Sequence, residues 1–416
     1  MHGDCLIIKG TILYAPAPDV LSVHPASYLA VRDGVVTGLF AQLPPDCDPA
    51  AVVDYGAQLV IPGFVDLHTH AAQFFQRGLG LDKPLLDWLK HVTFPQEAKL
   101  ADPAYAQAVY AAFAAELLRQ GTTRAAVYGS VHSETVRLLA KIMTDTGLGA
   151  YVGKVNMDCH CPPRLREATH AALQDTEALL ADWPGGPLVK PILTPRFAPV
   201  CSRALLAGLG ELAQRYQAPV QSHLAETRDE AALVKQLFPE FAEYHEVYEA
   251  FGLFGQTPTL MAHCIYVSDA AIARMRAQPV MAVHCPDSNL NLGSGVMPAR
   301  KLLAAGVPVG LGTDVGAGHT LSMRQAIIRA VQLSKLPQTV AASGAPLSLA
   351  EAFYLATKGG GSFFGKVGSF EPGYSFDALV VAPERPDLAP EEALAQFIYA
   401  DRAEQIVARY VAGRKL

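Results

Sequence analysis

The chain carries no basic cluster and has a formal net charge of −6, which argues against a nucleic-acid backbone as a partner. No apolar run has the length and purity needed to span a bilayer, so no membrane partner is expected. The start, Met1-His2-Gly3-Asp4-Cys5, lacks the basic segment and following apolar stretch of a secretory leader. Cysteine is sparse: seven residues, at 5, 47, 159, 161, 201, 264 and 285, an odd and scattered set. That excludes a disulfide framework and fits a reducing compartment, so a cytoplasmic setting is expected. Two zinc patterns are also missing, the Pro-Cys-x-x-Cys segment and the His-Glu-x-x-His helix. Cys159-His160-Cys161 has no second pair at finger-like spacing and reads as a loop. What remains is a chain of 416 residues, 50% hydrophobic and 17% charged, able to bury a large core.

From about Ile61 to Ala330, short β-rich runs alternate with helical patterns. The strand runs are Val60–Leu67, Thr123–Tyr128, Tyr151–Met157, Leu188–Thr194, Pro219–His223, Thr259–His263, Val280–His284 and Val309–Thr313. Apolar residues three and four apart predict helices over Tyr105–Arg119, Ser133–Thr146, Arg203–Tyr216, Asp229–Phe238 and Asp269–Ala277. Eight such units define an α/β fold, a (β/α)8 TIM barrel over residues 61–364, with functional residues at the C-terminal strand ends. The flanks read as β: Cys5–Tyr14 and Tyr28–Phe40 at one end, Phe376–Ala382 and Ile406–Ala412 at the other. They predict a small β-sandwich domain from both termini, residues 1–60 plus 365–416.

Four segments end strand-like runs: His68-Thr69-His70, His223-Leu224-Ala225-Glu226, His263 and Asp314. A zinc ion that activates water wants neutral imidazoles, a carboxylate and an open position, and these strand ends can supply that set. His68 and His70, two apart in a strand, point to one side and make half of a metal site. Each candidate also has a plainer reading. His-x-His recurs by chance, His263 could be a satisfied core histidine, and Glu226 could be an acidic residue opening a helix, favoured there by the helix dipole.

The string Pro62-Gly63-Phe64-Val65-Asp66-Leu67-His68-Thr69-His70 resembles the first-strand signature of the amidohydrolase superfamily. That resemblance implies His68, His70, His223 and Asp314 as metal ligands, holding one Zn2+ per subunit, with Fe2+ also suited to imidazole and carboxylate. It implies Glu226 as proton shuttle, His263 as the group that polarises water or oxyanion, and Asp314 as acceptor of the water's proton. Two-metal members use a carbamylated lysine at the fourth strand. Here the candidate is Lys190, six residues before Arg196, roughly 20 Å along an extended strand, which favours one metal.

Within the superfamily the chain is similar to the guanine deaminases. Leu81 to Leu89, Thr93-Phe94-Pro95, Gly153 to Asp158, Thr194-Pro195-Arg196-Phe197 and His284 to Leu290 carry the likeness. The substrate implied is guanine. Its 6-oxo group and N7 are adjacent acceptors that an arginine can grip in bidentate fashion. Arg196 is the candidate, with Gln73 on the amide-like edge and Phe197 as an aromatic wall. A surface arginine, a loop glutamine and a core phenylalanine are the plainer readings. Trp88 is expected to anchor the loop after the first strand. Ala72 and His319 depart from the branch's pattern near the expected pocket. The family also implies a homodimer. Rival readings are a deaminase of another amino-purine (8-oxoguanine or adenosine type), a triazine hydrolase, a two-metal amide-ring hydrolase and a non-catalytic scaffold with eroded ligands.

Overall fold

The computed structural model describes residues 5–45 and 47–416, so Met1–Asp4, on which the expectation about a leader rests, lie outside the described residues. Two sets of four parallel strands alternate with helices. The first comprises Phe64–His70, Thr122–Tyr128, Gly149–Gly153 and Val189–Pro191; the second comprises Val220–Leu224, Thr259–His263, Val280–His284 and Val309–Leu311. Pairing within each set follows chain order, as in a (β/α)8 barrel. A bridge between Leu193 and Val220 joins the sets. At the other seam, Asp314 N–H donates to the His68 carbonyl and His70 N–H to the Val315 carbonyl, both at 2.8 Å. The ring is therefore closed, as the TIM-barrel expectation requires.

Gly312 permits that last seam. A Cβ there would lie 2.8 Å from the His68 Cβ and 3.0 Å from the His68 carbonyl oxygen. Inside, Leu67, Ala126, Leu260, Ala262, Met281 and Val283 come from both strand sets and pack in one cluster, with Val367, Phe363 and Phe364 against them. The interior is a packed core, not a pore.

The flanking strands form one continuous seven-stranded sheet. Cys5–Ala17 pairs antiparallel with Val20–Arg32 and parallel with Val52–Pro62, which pairs in turn with the C-terminal strand Ala378–Val381. Tyr28–Phe40, expected as β structure with an Asp-Gly turn, is parts of two strands, because Asp33 and Gly34 turn the chain with positive φ. The expected Val60–Leu67 strand also divides. Val52–Pro62 belongs to the terminal sheet, and the barrel strand begins at Phe64. Gly63 marks the division, with Thr123 side-chain atoms 2.3 Å from where its Cβ would sit.

Helices Pro103–Gln120, Ser133–Thr146, Arg203–Tyr216, Arg228–Leu237 and Asp269–Ala277 stand where periodicity predicts them. Among the described residues, no helix is long and apolar enough to cross a membrane.

Candidate active site

The first barrel strand delivers two imidazoles to one point. Its register shifts by one residue between Asp66 and Thr69, a bulge that bends the strand beside His68. Asp66 is buried behind it. Its Oδ1 accepts the backbone N–H of His68 (3.2 Å) and of Thr313 (3.0 Å), and its Oδ2 accepts the Thr313 hydroxyl at 2.5 Å. This carboxylate ties the strand carrying His68 to the one leading into Asp314. Asp314 has φ 48°, a left-handed conformation that side chains with a Cβ adopt only when the surroundings enforce it.

Asp314 Oδ1 lies 3.2 Å from His68 Nε2 and 3.3 Å from His70 Nε2. His223 Nε2 lies 3.3 Å from His70 Nε2, while its Nδ1 donates to the Arg196 carbonyl at 2.6 Å, which fixes the tautomer. One nitrogen from each of His68, His70 and His223 falls within a common 4.8 Å radius of separation. Burial lowers the proton affinity of all three rings: His70 to about 4, His223 well below the usual histidine value, and His68 in the same direction. Burial pushes the Asp314 carboxyl up, but His68, His70 and His263 overcome it and hold the group well below the ordinary range. Neutral imidazoles beside an ionised carboxylate are the donor set of a divalent metal. His68 Nε2 is buried with no hydrogen-bond partner, which also fits a ligand atom.

On the other side of Asp314 stand His263 and Glu226. His263 Nε2 faces Glu226 Oε2 at 3.5 Å and Asp314 Oδ2 at 3.8 Å, and its Nδ1 meets Asn289 Oδ1 at 3.0 Å. Glu226 is buried and accepts the Ser294 hydroxyl at 2.8 Å. Its carboxyl is raised to about 8, by burial first and then by the charge of Asp314. The plainer reading of Glu226, a helix-opening acid, belongs instead to Glu230, which closes a capping box with Thr227.

These groups open on one pocket. Gln73, Arg196 and Phe197 line it with His70, His223, Glu226, His263 and Asp314, and Leu85, Trp88, Leu89 and Leu292 add apolar walls. All the expected site residues but His68 therefore line one cavity, and His68 lies directly behind, against Asp314. Trp88 both lines the pocket and anchors its loop, donating Nε1–H to the Leu79 carbonyl at 2.9 Å. Ala72 and His319 do not line it. Lys190 is exposed on its strand, which agrees with the argument against a two-metal centre.

Several residues at the site were not singled out from the sequence. Glu97 is buried against Arg196 and Gln73. Glu230 holds the backbone at Glu226. Cys285 lies with its sulfur within 4.8 Å of donors on His68 and Asp314. Ser294 and Asn289 position Glu226 and His263. Thr-Phe-Pro and the His284 segment were flagged as family strings, and the polar residues inside or beside them carried the available signal.

A closed barrel with a terminal sheet and a His/Asp cluster at its strand ends defines a metal-dependent hydrolase class. Residues 59–416 match the amidohydrolase family, and the chain belongs to that family. Within it, a guanine deaminase of Dictyostelium discoideum is 36% identical over 99% of this chain and 98% of its own length. The structure of a guanine deaminase from C. acetobutylicum, with guanine bound in its active site, has a TM-score of 0.97 at 45% identity, covering 99% of this chain and 100% of that one. An adenosine deaminase from Xanthomonas campestris with bound zinc has a TM-score of 0.82 at 26% identity, covering 99% and 92%.

Proposed function

We propose that the protein is a guanine deaminase that converts guanine and water to xanthine and ammonia. One observation carries the reading: a single pocket joins a His/Asp metal-ligand set and a buried Glu226 to a wall made by Arg196 and Gln73. Family membership and the guanine deaminases among its relatives support it.

Arg196 commits Nη1 to Glu97, and its described hydrogen bonds use no other nitrogen. The Nε–Nη2 edge is thus the one that would meet O6 and N7 of guanine. Adenine-type substrates lack the 6-oxo acceptor this edge needs. Phe197 offers a ring face to the purine, and Leu85, Trp88 and Leu89 exclude water. A zinc or iron(II) ion held by His68, His70, His223 and Asp314 would acidify the attacking water.

Water adds to C2. Asp314 takes its proton through Oδ2, the oxygen turned away from the imidazole trio and toward His263. Nε2 of His263, which faces two carboxylates, hydrogen-bonds the oxygen that adds at C2 and polarises it. Glu226, protonated at neutral pH by its raised affinity, gives its proton to N3 and makes the amidine more electrophilic. The proton held on Asp314 then passes through Glu226 to the amino group. The C2–N bond breaks and ammonia departs, while the hydroxyl left on C2 gives its remaining proton to Asp314 and becomes the carbonyl, and that proton returns to Glu226.

The proposal includes one metal per subunit, a homodimer and a cytoplasmic setting. The test is loss of guanine absorbance with matched release of ammonia by purified, metal-loaded protein. Absence of turnover would sink the substrate assignment, and sedimentation would check the dimer.

A further inference from the structure

We propose that Glu97 is a positioning and specificity residue that sets the charge of the purine pocket, so that it accepts neutral 6-oxopurines and releases the more acidic product. This rests on the guanine deaminase reading and names a residue that the reading does not require.

Arg196 is 2% exposed and carries a charge it cannot discharge. Glu97, 4% exposed, places both carboxylate oxygens on Arg196 Nη1, at 2.8 and 2.6 Å. The Phe94 ring, one helical turn back, lies with its centroid 5.3 Å from the guanidinium carbon. The same Glu97 Oε1 accepts Gln73 Nε2–H at 2.9 Å. Gln73 Oε1 in turn accepts Gly316 N–H (3.2 Å) and Gln76 Nε2–H (3.3 Å). An ionised carboxylate only accepts and a backbone N–H only donates, so the Gln73 amide has one orientation here. Its remaining Nε2–H is a donor for the substrate. Both recognition side chains therefore depend on one carboxylate.

The consequence is electrostatic. A lone buried guanidinium would favour an anion, and xanthine loses a ring proton more readily than guanine because two oxo groups share the negative charge. Paired with Glu97, the Arg196 wall has no net charge, and Glu226 and Asp314 line the same pocket. At the Arg196 wall the product anion meets no unbalanced cation. Guanine, neutral, loses nothing by the pairing.

The test compares wild type, Glu97→Gln and Glu97→Asp, all metal-loaded. Guanine turnover is measured together with the inhibition constants of xanthine and hypoxanthine at one mildly alkaline pH. There xanthine is mostly anionic and hypoxanthine mostly neutral. Both inhibitors are read at the same pH on the same protein, so the change in their ratio between wild type and variant isolates ligand charge. Glu97→Gln should tighten xanthine relative to hypoxanthine by about tenfold or more. Glu97→Asp should keep the wild-type ratio even where KM for guanine rises. A merely structural role would weaken both inhibitors together, and an unchanged ratio in an active Glu97→Gln overturns the proposal. Should that variant fail to fold, wild type still decides: xanthine gaining affinity relative to hypoxanthine as pH rises through xanthine's own ionisation would overturn it. A wild type inert toward guanine would instead sink the deaminase reading itself.

Discussion

Glu230 accepts the backbone N–H of Glu226 at 2.7 Å and that of Thr227 at 3.2 Å, while Tyr244 donates its hydroxyl to the other carboxylate oxygen at 2.7 Å. The backbone of Glu226 is thus held by a second buried carboxylate one helical turn along. Glu230→Ala would leave three donors, two of them buried, without an acceptor. Each costs about 1–3 kcal/mol, so a loss of about 2–4 kcal/mol is expected after partial rearrangement. Urea unfolding of the variant measures it. A loss below about 1 kcal/mol would mean that water replaces the carboxylate and that Glu226 is held by other contacts.

Glu226→Gln keeps the size of the side chain and removes its ability to carry a proton. The imidazoles and Asp314 are untouched, so metal content should match wild type while kcat falls by about 10²–10⁴. Metal analysis and steady-state kinetics on one preparation separate the two effects. Metal lost along with activity would mean that Glu226 shapes the ligand set rather than moving protons.

The same residue should leave a mark on stability. Burial and Asp314 raise the Glu226 carboxyl from 4.5 to about 8 in the folded state. Between these values the folded chain holds a proton that the unfolded chain has released. Stability from this group is therefore complete below about pH 4.5 and declines as pH rises to about 8. Glu230, raised to about 7 by burial and then by Glu226, acts in the same direction. Metal-free Glu226→Gln should lose less stability than metal-free wild type between pH 5 and 8. Parallel curves for the two proteins would contradict this.

Much of this arrangement is legible in the chain because it is local. A strand that ends on His68-Thr69-His70 announces itself by alternation and by its neighbours, and strand-end position brought His223, His263 and Asp314 into the same set. The boundary at Gly63 was legible only in part: Pro62-Gly63 marks the entry to the barrel strand, but the apolar residues on both sides read as one strand from Val60, and packing against Thr123 separates the two. Nor was the helix Pro390–Ala400, which follows the Pro386–Pro390 loop inside a stretch expected to be β. Glu97 stayed hidden for a different reason. Its partner Arg196 is 99 residues away, and nothing within a helical turn reveals a contact that only the closed barrel makes.

Metal removal gives a direct check on the imidazole set. Dialysis against a chelator should abolish guanine turnover, and added zinc should restore it. His223→Gln removes one ligand and also the donor to the Arg196 carbonyl. It should lower metal affinity by tenfold or more, as the loss of even an outer-shell partner does. Full metal occupancy in that variant would remove His223 from the ligand set.

Barrel and terminal sheet are joined by an ion pair that no local pattern shows. Arg124, on the second barrel strand, donates Nε–H to Asp377 Oδ2 at 2.6 Å and Nη2–H to Asp377 Oδ1 at 3.0 Å. Asp377 Oδ1 also accepts Ala412 N–H at 2.8 Å and the Ser375 hydroxyl at 2.9 Å. Asp377 is fully buried and the Arg124 side chain 6% exposed, so neither charge has water to fall back on. Arg124→Met would strand the carboxylate and should cost about 3–5 kcal/mol. Asp377→Asn added to it keeps an oxygen for Ala412 and Ser375 while removing the stranded charge, so the double variant should recover part of that loss. Urea unfolding of the four proteins in the cycle gives the coupling energy. If the double variant is as unstable as the two single losses added together, the residues are not coupled and the two parts of the molecule are held by their apolar contacts alone.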